Sequence, residues 1–263
     1  MYKYANESFF MNKNTIIPYH KNGILILALV LLSISFGCSQ SQIPVLCYHN
    51  IYKISGTPGP LYINEKTLEK HIQFMSEKGY KSVMPEDILN HTLRIKLLEG
   101  KNVMFSFDDT RLMHYTVAAP LLEKYGYRGT FFIMTVAIGK KNYMTKKMIR
   151  DLADRGHSIG LHTYDHQDLR KISAGEWKNQ IDRPRQMLED ITGYNICYLA
   201  YPYGACNKKT AGEVRKRGIS ASFQLASPMQ QTWSEHFIRR LMVSGTWSPQ
   251  RLENEMMAMF GKK

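Results

Sequence analysis

The chain has 263 residues, of which 44% are hydrophobic and 11% aromatic; this composition supports a packed core and excludes a chain that is disordered throughout. Its 35 basic and 22 acidic residues give a formal charge of +13, which favours anionic partners such as phospholipid or an acidic cell-wall polymer. The basic residues are scattered and form no run, so no nucleic-acid partner is predicted.

The amino-terminal segment has the features of a secretory signal. Lys13 and Lys21 precede an apolar stretch from Ile24 to Ile34, which is shorter than the roughly 18 to 20 residues that a spanning helix needs. Gly37 before Cys38 resembles a bacterial lipobox, in which the cysteine is acylated after cleavage; ordinary cleavage nearby is the alternative. We therefore expect residues 1–37 to be a signal peptide, residues 38–263 to form one exported domain, and Cys38 to anchor it to the cell envelope.

Strand-like apolar runs alternate with stretches of helical periodicity from residue 43 onwards. The predicted strands are Ile43–Cys47, Lys81–Met84, Val103–Phe107, Thr130–Met134, Ser158–Leu161, Ile196–Ala200, Ile219–Phe223 and Phe237–Val243. The predicted helices are Thr67–Lys78, Glu86–Leu97, Thr116–Tyr125, Thr145–Arg155, Ala174–Thr192, Lys208–Arg217 and Pro249–Phe260. Pro184 should kink or split the fifth of these helices. This alternation predicts an α/β fold, a (β/α) barrel with seven or eight strands, with a doubly wound open sheet as the alternative.

Polar residues that could take part in chemistry follow the predicted strands. They are His49, the pair Asp108 and Asp109, the histidines His162 and His166, the turn Tyr201 to Gly204, and Arg240 within the last strand. In a parallel barrel these positions share one rim, so residues distant in sequence should meet there. Two imidazoles and a carboxylate suit zinc or a similar divalent ion such as cobalt, nickel or iron, and a second carboxylate beside them could transfer a proton.

Three short motifs resemble those of a known family. Phe105-Ser106-Phe107-Asp108-Asp109, His162-Thr163-Tyr164-Asp165-His166 and Tyr201-Pro202-Tyr203-Gly204 resemble the first three motifs of the polysaccharide deacetylases, the NodB-homology domain. The resemblance spans roughly residues 43 to 245. It implies a distorted (β/α) barrel that holds a divalent metal and hydrolyses acetyl groups from acetylated sugars. By position it implies Asp109, His162 and His166 as metal ligands, Asp108 as general base and the backbone N–H of Tyr203 as oxyanion donor.

The chain departs from the common pattern of that family at three points. Ala200 stands where the third motif usually begins with arginine, Thr110 replaces the usual glycine, and no histidine follows His236 to supply the late Leu-x-His motif. Instead, the run Leu46-Cys47-Tyr48-His49 resembles the amino-terminal motif of biofilm poly-N-acetylglucosamine deacetylases, in which the barrel is circularly permuted. The resemblance to that subgroup implies His49 as general acid and Arg240 as the residue that orients Asp108. His236 is the alternative candidate for the acid.

The resemblance thus implies a metal-dependent deacetylase of an N-acetylated amino-sugar polysaccharide, with an acetylated glycan as substrate. Two alternatives stay open: an amidohydrolase acting on a small amide, and a catalytically idle glycan-binding module. Cys197 and Cys206 could pair as a disulfide or stay as free thiols. Trp233 and Trp247 could stack on a sugar ring or pack in the fold. No sequence feature indicates an oligomeric state.

Overall fold

The computed structural model describes residues 42–53, 56–225 and 234–261. These residues belong to one unit, Gln40–Lys263. The predicted signal peptide, Cys38 and Trp233 lie outside the described residues. Within the described part of the chain, no helix combines the length and the apolar character needed to cross a membrane.

Parallel strands form the centre of the fold. The described strands are β1 (Val45–Tyr48), β2 (Asn50–Tyr52), β3 (Tyr62–Asn64), β4 (Lys81–Ser82), β5 (Asn102–Phe107), β6 (Gly129–Ile133), β7 (Ser158–Leu161), β8 (Tyr198–Ala200), β9 (Ala221–Gln224), β10 (Ile238–Arg239) and β11 (Leu241–Met242). In the main sheet the order is β10-β9-β8-β7-β6-β5-β1-β11, and β4 pairs with β5. The small parallel pair β2 and β3 was not predicted, because each strand has only three residues.

The last strand region closes the sheet into a barrel. β10 pairs with β9 through Ile238 and Phe223, whereas β11 pairs with β1 through Leu241 and Leu46. Because only Arg240 separates β10 from β11, one continuous stretch joins both edges of the sheet. The predicted (β/α) barrel is therefore confirmed, and the open-sheet alternative is wrong.

Helices flank the barrel between successive strands. They are α1 (Glu65–Glu77), α2 (Pro85–Leu89), α3 (His91–Glu99), α4 (Ala119–Lys124), α5 (Lys146–Asp154), α6 (Arg183–Thr192), α7 (Lys208–Lys216) and α8 (Pro249–Phe260). The single helix predicted over 86–97 is two helices, because Asn90 caps a new one by accepting from the backbone N–H of Leu93 at 3.0 Å. The segment predicted as a helix over 174–192 is helical throughout, but its regular α-helical part, α6, begins only after a π-helical turn at Lys178–Asp182, and Pro184 lies in the first turn of α6.

Alternation along the strands sorts side chains between the barrel interior and the helix layer. On β5, Phe105 and Phe107 belong to the cluster packed against the helices, whereas Met104 belongs to a second cluster drawn from β1, β5, β6, β8, β9 and β10. Since successive strand residues point to opposite faces, Ser106 and Asp108 follow Met104 towards the interior. By the same rule Cys47 and His49 follow Val45, which lies in the interior cluster. The strand pattern thus brings these polar groups to the carboxyl-terminal mouth of the barrel.

Candidate metal centre and the groups around it

Three predicted ligands converge at the carboxyl-terminal rim. Oδ1 of Asp109 lies 3.6 Å from Nε2 of His162 and 3.8 Å from Nε2 of His166. One donor atom from each residue lies within 4.8 Å of the other two. These separations exceed the roughly 2.7–3.2 Å of an ordinary hydrogen bond, but they are close to the about 3.4 Å between two ligand atoms of a tetrahedral zinc ion. The three donors therefore fit a divalent cation.

The tautomer of His162 is fixed by a second contact. Its Nδ1–H donates to the carbonyl oxygen of Ala200 at 2.8 Å, which leaves Nε2 with a free lone pair directed at Asp109. A carbonyl partner on the far ring nitrogen is the usual arrangement of a metal-binding histidine. His162 is almost fully buried, so its ring has little freedom to leave this orientation.

The loops that hold the ligands have strained backbone. Asp109 and Thr110 after β5, Thr163 and His166 after β7, and Tyr203 after β8 all have positive φ between 60° and 78°. Non-glycine residues avoid this region, and such strain concentrates at functional sites. Thr110 replaces a glycine of the resembled motif, and its hydroxyl accepts from the backbone N–H of Met134 at 2.7 Å. This bond helps to hold an otherwise unfavourable threonine in place.

Asp108 is held by Arg240 in the barrel interior. Arg240 Nη1 donates to Oδ1 of Asp108 at 2.7 Å and Nη2 donates to Oδ2 at 2.8 Å, so the pair is bidentate. Both side chains are buried. Burial by itself raises the pKa of Asp108, but the charge of Arg240 and its hydrogen bonds to the carboxylate outweigh it, so that the pKa lies well below its usual range. Asp108 is therefore ionised at neutral pH.

His49 lies beside this carboxylate. Its Nε2 is 3.9 Å from Oδ2 of Asp108, and its carbonyl oxygen accepts from Nε2 of His114 at 2.6 Å. Burial lowers the pKa of His49, while the charge of Asp108 acts in the opposite direction. The predicted His49 therefore reaches the cleft from β1. His114, which supports its backbone, was not among the predicted site residues.

The turn after β8 exposes backbone next to His166. Tyr203 has φ 60° and is the second residue of a one-turn helix, a position whose N–H has no partner within the helix. Its side chain is 67% exposed, and its ring lies 4.5 Å from that of His166. Gly204 also has positive φ, and a Cβ there would lie 2.3 Å from the backbone nitrogen of Leu225. The close approach explains why a glycine ends this turn.

Other predicted candidates lie away from the ligands. The ring of His236, the fallback acid, faces the Ser222 hydroxyl across 3.3 Å, before β10 begins. Trp247 packs against the core, and its carbonyl oxygen faces Nε2 of His71. Cys197 and Cys206 are free thiols.

Sequence reasoning missed Cys47 as a neighbour of the site. Its Sγ lies 3.5 Å from Oδ2 of Asp108 and 4.0 Å from Nδ1 of His49. The signal was available, since residues two apart on a strand share a face, and Cys47 is two residues before His49.

Fold and site together define a (β/α) barrel with a candidate metal centre at its carboxyl-terminal mouth. The family model described as polysaccharide deacetylase matches residues 96–222. YxkH of Bacillus subtilis (strain 168) is 26% identical over 203 residues, which cover 76% of this chain and 71% of that protein. The poly-beta-1,6-N-acetyl-D-glucosamine N-deacetylase of Staphylococcus aureus (strain MSSA476) is 22% identical, with 69% and 68% covered. The peptidoglycan-N-acetylglucosamine deacetylase PgdA of Listeria monocytogenes is 27% identical over 62% of this chain, which spans only 33% of its length.

A solved structure has the same architecture. The Streptococcus pyogenes deacetylase PplD, solved in complex with acetate, superposes with a TM-score of 0.73 at 23% identity and covers 82% of this chain and 99% of its own. The part of the chain that the family model matches, residues 96–222, is a polysaccharide deacetylase domain. His49 and Arg240 both lie outside the residues that the family model matches.

Proposed function

We propose that this protein removes acetyl groups from an N-acetylated amino-sugar polysaccharide by hydrolysis of the amide bond, which releases acetate and leaves a free amine. The observation that supports this most strongly is the grouping of Asp109, His162 and His166 around a space that fits a cation, next to a separately held carboxylate, Asp108. A glycan-binding module without catalysis would not need that second, ionised carboxylate.

Asp109, His162 and His166 would hold the divalent cation. When bound, the cation would lower the pKa of water in the cleft and polarise the acetyl carbonyl. Two neutral nitrogens and one carboxylate favour zinc, and cobalt, nickel or iron would fit the same donors. These ligands come from two loops of the rim, one after β5 and one after β7.

Asp108 would act as the general base that accepts the proton of the attacking water. Its low pKa keeps the carboxylate in the form that accepts a proton, and Arg240 fixes its orientation from inside the barrel. Arg240 thereby acts on the reaction only through Asp108. It is a positioning residue.

His49 would act as the general acid that protonates the leaving nitrogen. It reaches the cleft from β1. His49 and the ligand His162 each lie within 4 Å of Oδ2 of Asp108, so the proposed acid is close to both the base and the metal ligands. Burial lowers the pKa of His49, so a protonated His49 gives up its proton readily. The hydrogen bond from His114 to its carbonyl oxygen holds the backbone at this position.

The backbone N–H of Tyr203 would stabilise the oxyanion that develops on the acetyl carbonyl. Its left-handed conformation and its position in a one-turn helix leave this donor without an intrahelical partner. The exposed ring of Tyr203, beside His166, offers an aromatic face at the rim of the cleft.

The substrate and the location of the enzyme follow from two further features. The exposed rim at Tyr203 and Tyr164 would leave room for a polymer that extends beyond one sugar, which favours a glycan over a small amide. The predicted signal segment and Cys38 support export and a lipid anchor on the bacterial cell envelope. Relatives named for peptidoglycan and for poly-N-acetylglucosamine make both glycans candidate substrates.

The experiment that tests this proposal measures acetate release from both glycans, from chito-oligomers and from small acetamides. The protein is assayed after metal removal and after reconstitution with zinc or cobalt. We expect cation-dependent acetate release from at least one polymeric glycan and much slower release from small amides. No release from any acetylated glycan by the reconstituted protein would contradict the proposal.

A further inference from the structure

Cys47 forms a second group of potential metal ligands next to the first. Cys47, His49 and Asp108 each offer one donor atom, and these atoms lie within 4.8 Å of one another. None of the three is a ligand of the first group, Asp109, His162 and His166. The two groups touch through Asp108, whose Oδ2 lies 3.8 Å from Nε2 of His162.

The Cys47 thiol is in contact with both other groups: it donates to Oδ2 of Asp108 at 3.5 Å, and its Sγ lies 4.0 Å from Nδ1 of His49. A cation takes only one nitrogen of the His49 ring, and one ring nitrogen lies within 4.8 Å of both the Cys47 Sγ and a carboxylate oxygen of Asp108. Ligand atoms of a tetrahedral zinc ion bound by sulfur, nitrogen and oxygen lie about 3.4–3.8 Å apart. Strand alternation explains the grouping, because Cys47 and His49 point to the same face of β1 beside Asp108.

We propose that Cys47, His49 and Asp108 form a second, inhibitory site for a thiophilic divalent cation such as zinc. Inhibition rests on the proposed function, since the cation would occupy the general base and the general acid at once. Binding itself does not rest on it. A soft thiolate beside an imidazole and a carboxylate selects zinc or cobalt over magnesium or calcium.

The charge balance makes this site weaker than the first. Before binding, Asp108 and Arg240 together have zero net charge in a buried site. Binding releases the thiol proton of Cys47 to solvent, so the site gains the two positive charges of the cation and the one negative charge of the thiolate. Arg240 and a cation at the first site both repel the second cation. Oδ2 of Asp108 accepts from Arg240 and from the Cys47 thiol; loss of the thiol proton removes the second bond and leaves that lone pair for the cation. We therefore expect the first site to fill before the second.

Cobalt titration distinguishes the two sites without an activity assay. The first site has only nitrogen and oxygen donors, so the first equivalent of Co²⁺ should give visible d–d bands without a thiolate-to-cobalt charge-transfer band in the near ultraviolet. Further Co²⁺ should add that band, with a dissociation constant at least about tenfold above that of the first site. Absence of the charge-transfer band at saturation would overturn the proposal.

Variants identify the thiol. Cys47→Ser should lose the charge-transfer band and keep the d–d bands of the first equivalent, whereas the matched control Cys206→Ser should keep both. A band that survives in Cys47→Ser and disappears in Cys206→Ser would also overturn the proposal. If the melting temperature shows that Cys47→Ser is unfolded, His49→Gln provides the second test: it retains the thiol and should weaken the second cobalt site by about tenfold or more.

Inhibition is measured as the ratio of activities at excess and at stoichiometric Zn²⁺ within each protein. In the unaltered protein we expect the activity at excess Zn²⁺ to be about tenfold or more below the activity at stoichiometric Zn²⁺, because the acid and the base are both blocked. In Cys47→Ser the ratio should stay near one. Equal inhibition of both proteins would refute the inhibitory role. A cobalt–thiolate band in a protein that deacetylates no glycan would support the second site while contradicting the proposed function, so the two failures are distinguishable.

Discussion

The barrel has a histidine–carboxylate cluster at each end, and the two clusters differ in how their atoms are used. At the amino-terminal end, Nε2 of His157 lies 2.9 Å from Oε1 of Glu123, and Arg155 bonds the same oxygen at 2.7 Å. Nδ1 of His157 accepts from the backbone N–H of Gly129 at 3.1 Å, so both ring nitrogens have partners. Neither nitrogen has a lone pair left for a cation.

At the carboxyl-terminal end the same residue types are more widely spaced. Nε2 of His162 is 3.6 Å from Asp109, and only its Nδ1 has a hydrogen-bond partner. The comparison teaches that residue type alone does not identify a metal site. A metal site is identified by an imidazole nitrogen without a hydrogen-bond partner and a carboxylate oxygen that are far enough apart for a cation to fit between them. The carboxyl-terminal cluster is therefore the candidate site, and the amino-terminal cluster is its control.

The largest expected effect is that of His162→Ala compared with His157→Gln. The first removes a ligand, so we expect loss of the bound cation and a fall in activity to background. The second alters a satisfied cluster, so cation content and turnover should be kept at temperatures below its melting point. Metal analysis after gel filtration measures both proteins; equal cation content in the two would break the distinction between the clusters.

Asp108→Asn should lower kcat by about 10²–10⁴-fold while the protein still binds its cation, because it removes the base and leaves the three ligands in place. The matched control is Glu123→Gln, which should keep kcat. Asp108→Asn also leaves Arg240 buried without its ion pair, at a cost of about 3–5 kcal/mol, so thermal unfolding must show that the variant is folded at the assay temperature. Unchanged kcat in folded Asp108→Asn would move the base elsewhere.

A smaller and substrate-dependent effect is expected for His49→Gln. Loss of a general acid should slow amide hydrolysis by about 10²-fold, yet slow an activated aryl acetate much less, because its leaving group needs no proton. His71 provides the control, since its Nε2 lies 2.9 Å from the Trp247 carbonyl oxygen, away from the proposed base. His71→Gln should not slow hydrolysis of one substrate more than that of the other. Equal slowing of both substrates by His49→Gln would rule out the acid role.

The smallest effect concerns stability against pH. Burial lowers the pKa of His114 from 6.5 to about 4, while its bond to the His49 carbonyl oxygen acts in the opposite direction. Because the unfolded chain takes up the proton first, the free energy of unfolding should fall between pH 6.5 and 4, by roughly 3 kcal/mol from this residue. His114→Phe keeps the packing with Phe107 and Phe131 and should show a shallower fall of melting temperature over this range. An unchanged slope would contradict the assignment.

Much of the fold could be predicted because strand and helix periodicities leave a clear trace. The barrel, its main strands and the irregular helix before Pro184 all followed from such local patterns. The helix boundary at Asn90 was missed because an asparagine can cap a helix or lie on its surface. The closure at Arg240 could not be predicted either, since it depends on two strands, β9 and β1, that are far apart in sequence.

The site was predictable to the extent that its residues follow strands. The resemblance of three motifs implied the ligands, and parallel topology explained why they should meet. Distances could not be read from the sequence: it does not distinguish His157 bonded to Glu123 from His162 separated from Asp109. Nor did it identify Cys47, because a cysteine on a buried strand is ordinarily a packing residue.

The most direct test is anomalous X-ray scattering from crystals of the protein reconstituted with one equivalent of zinc. A peak within bonding distance of the Asp109 carboxylate and of Nε2 of His162 and His166 is the expected result. A peak at the amino-terminal cluster, or a fully loaded protein with no peak at these three side chains, would contradict the central claim.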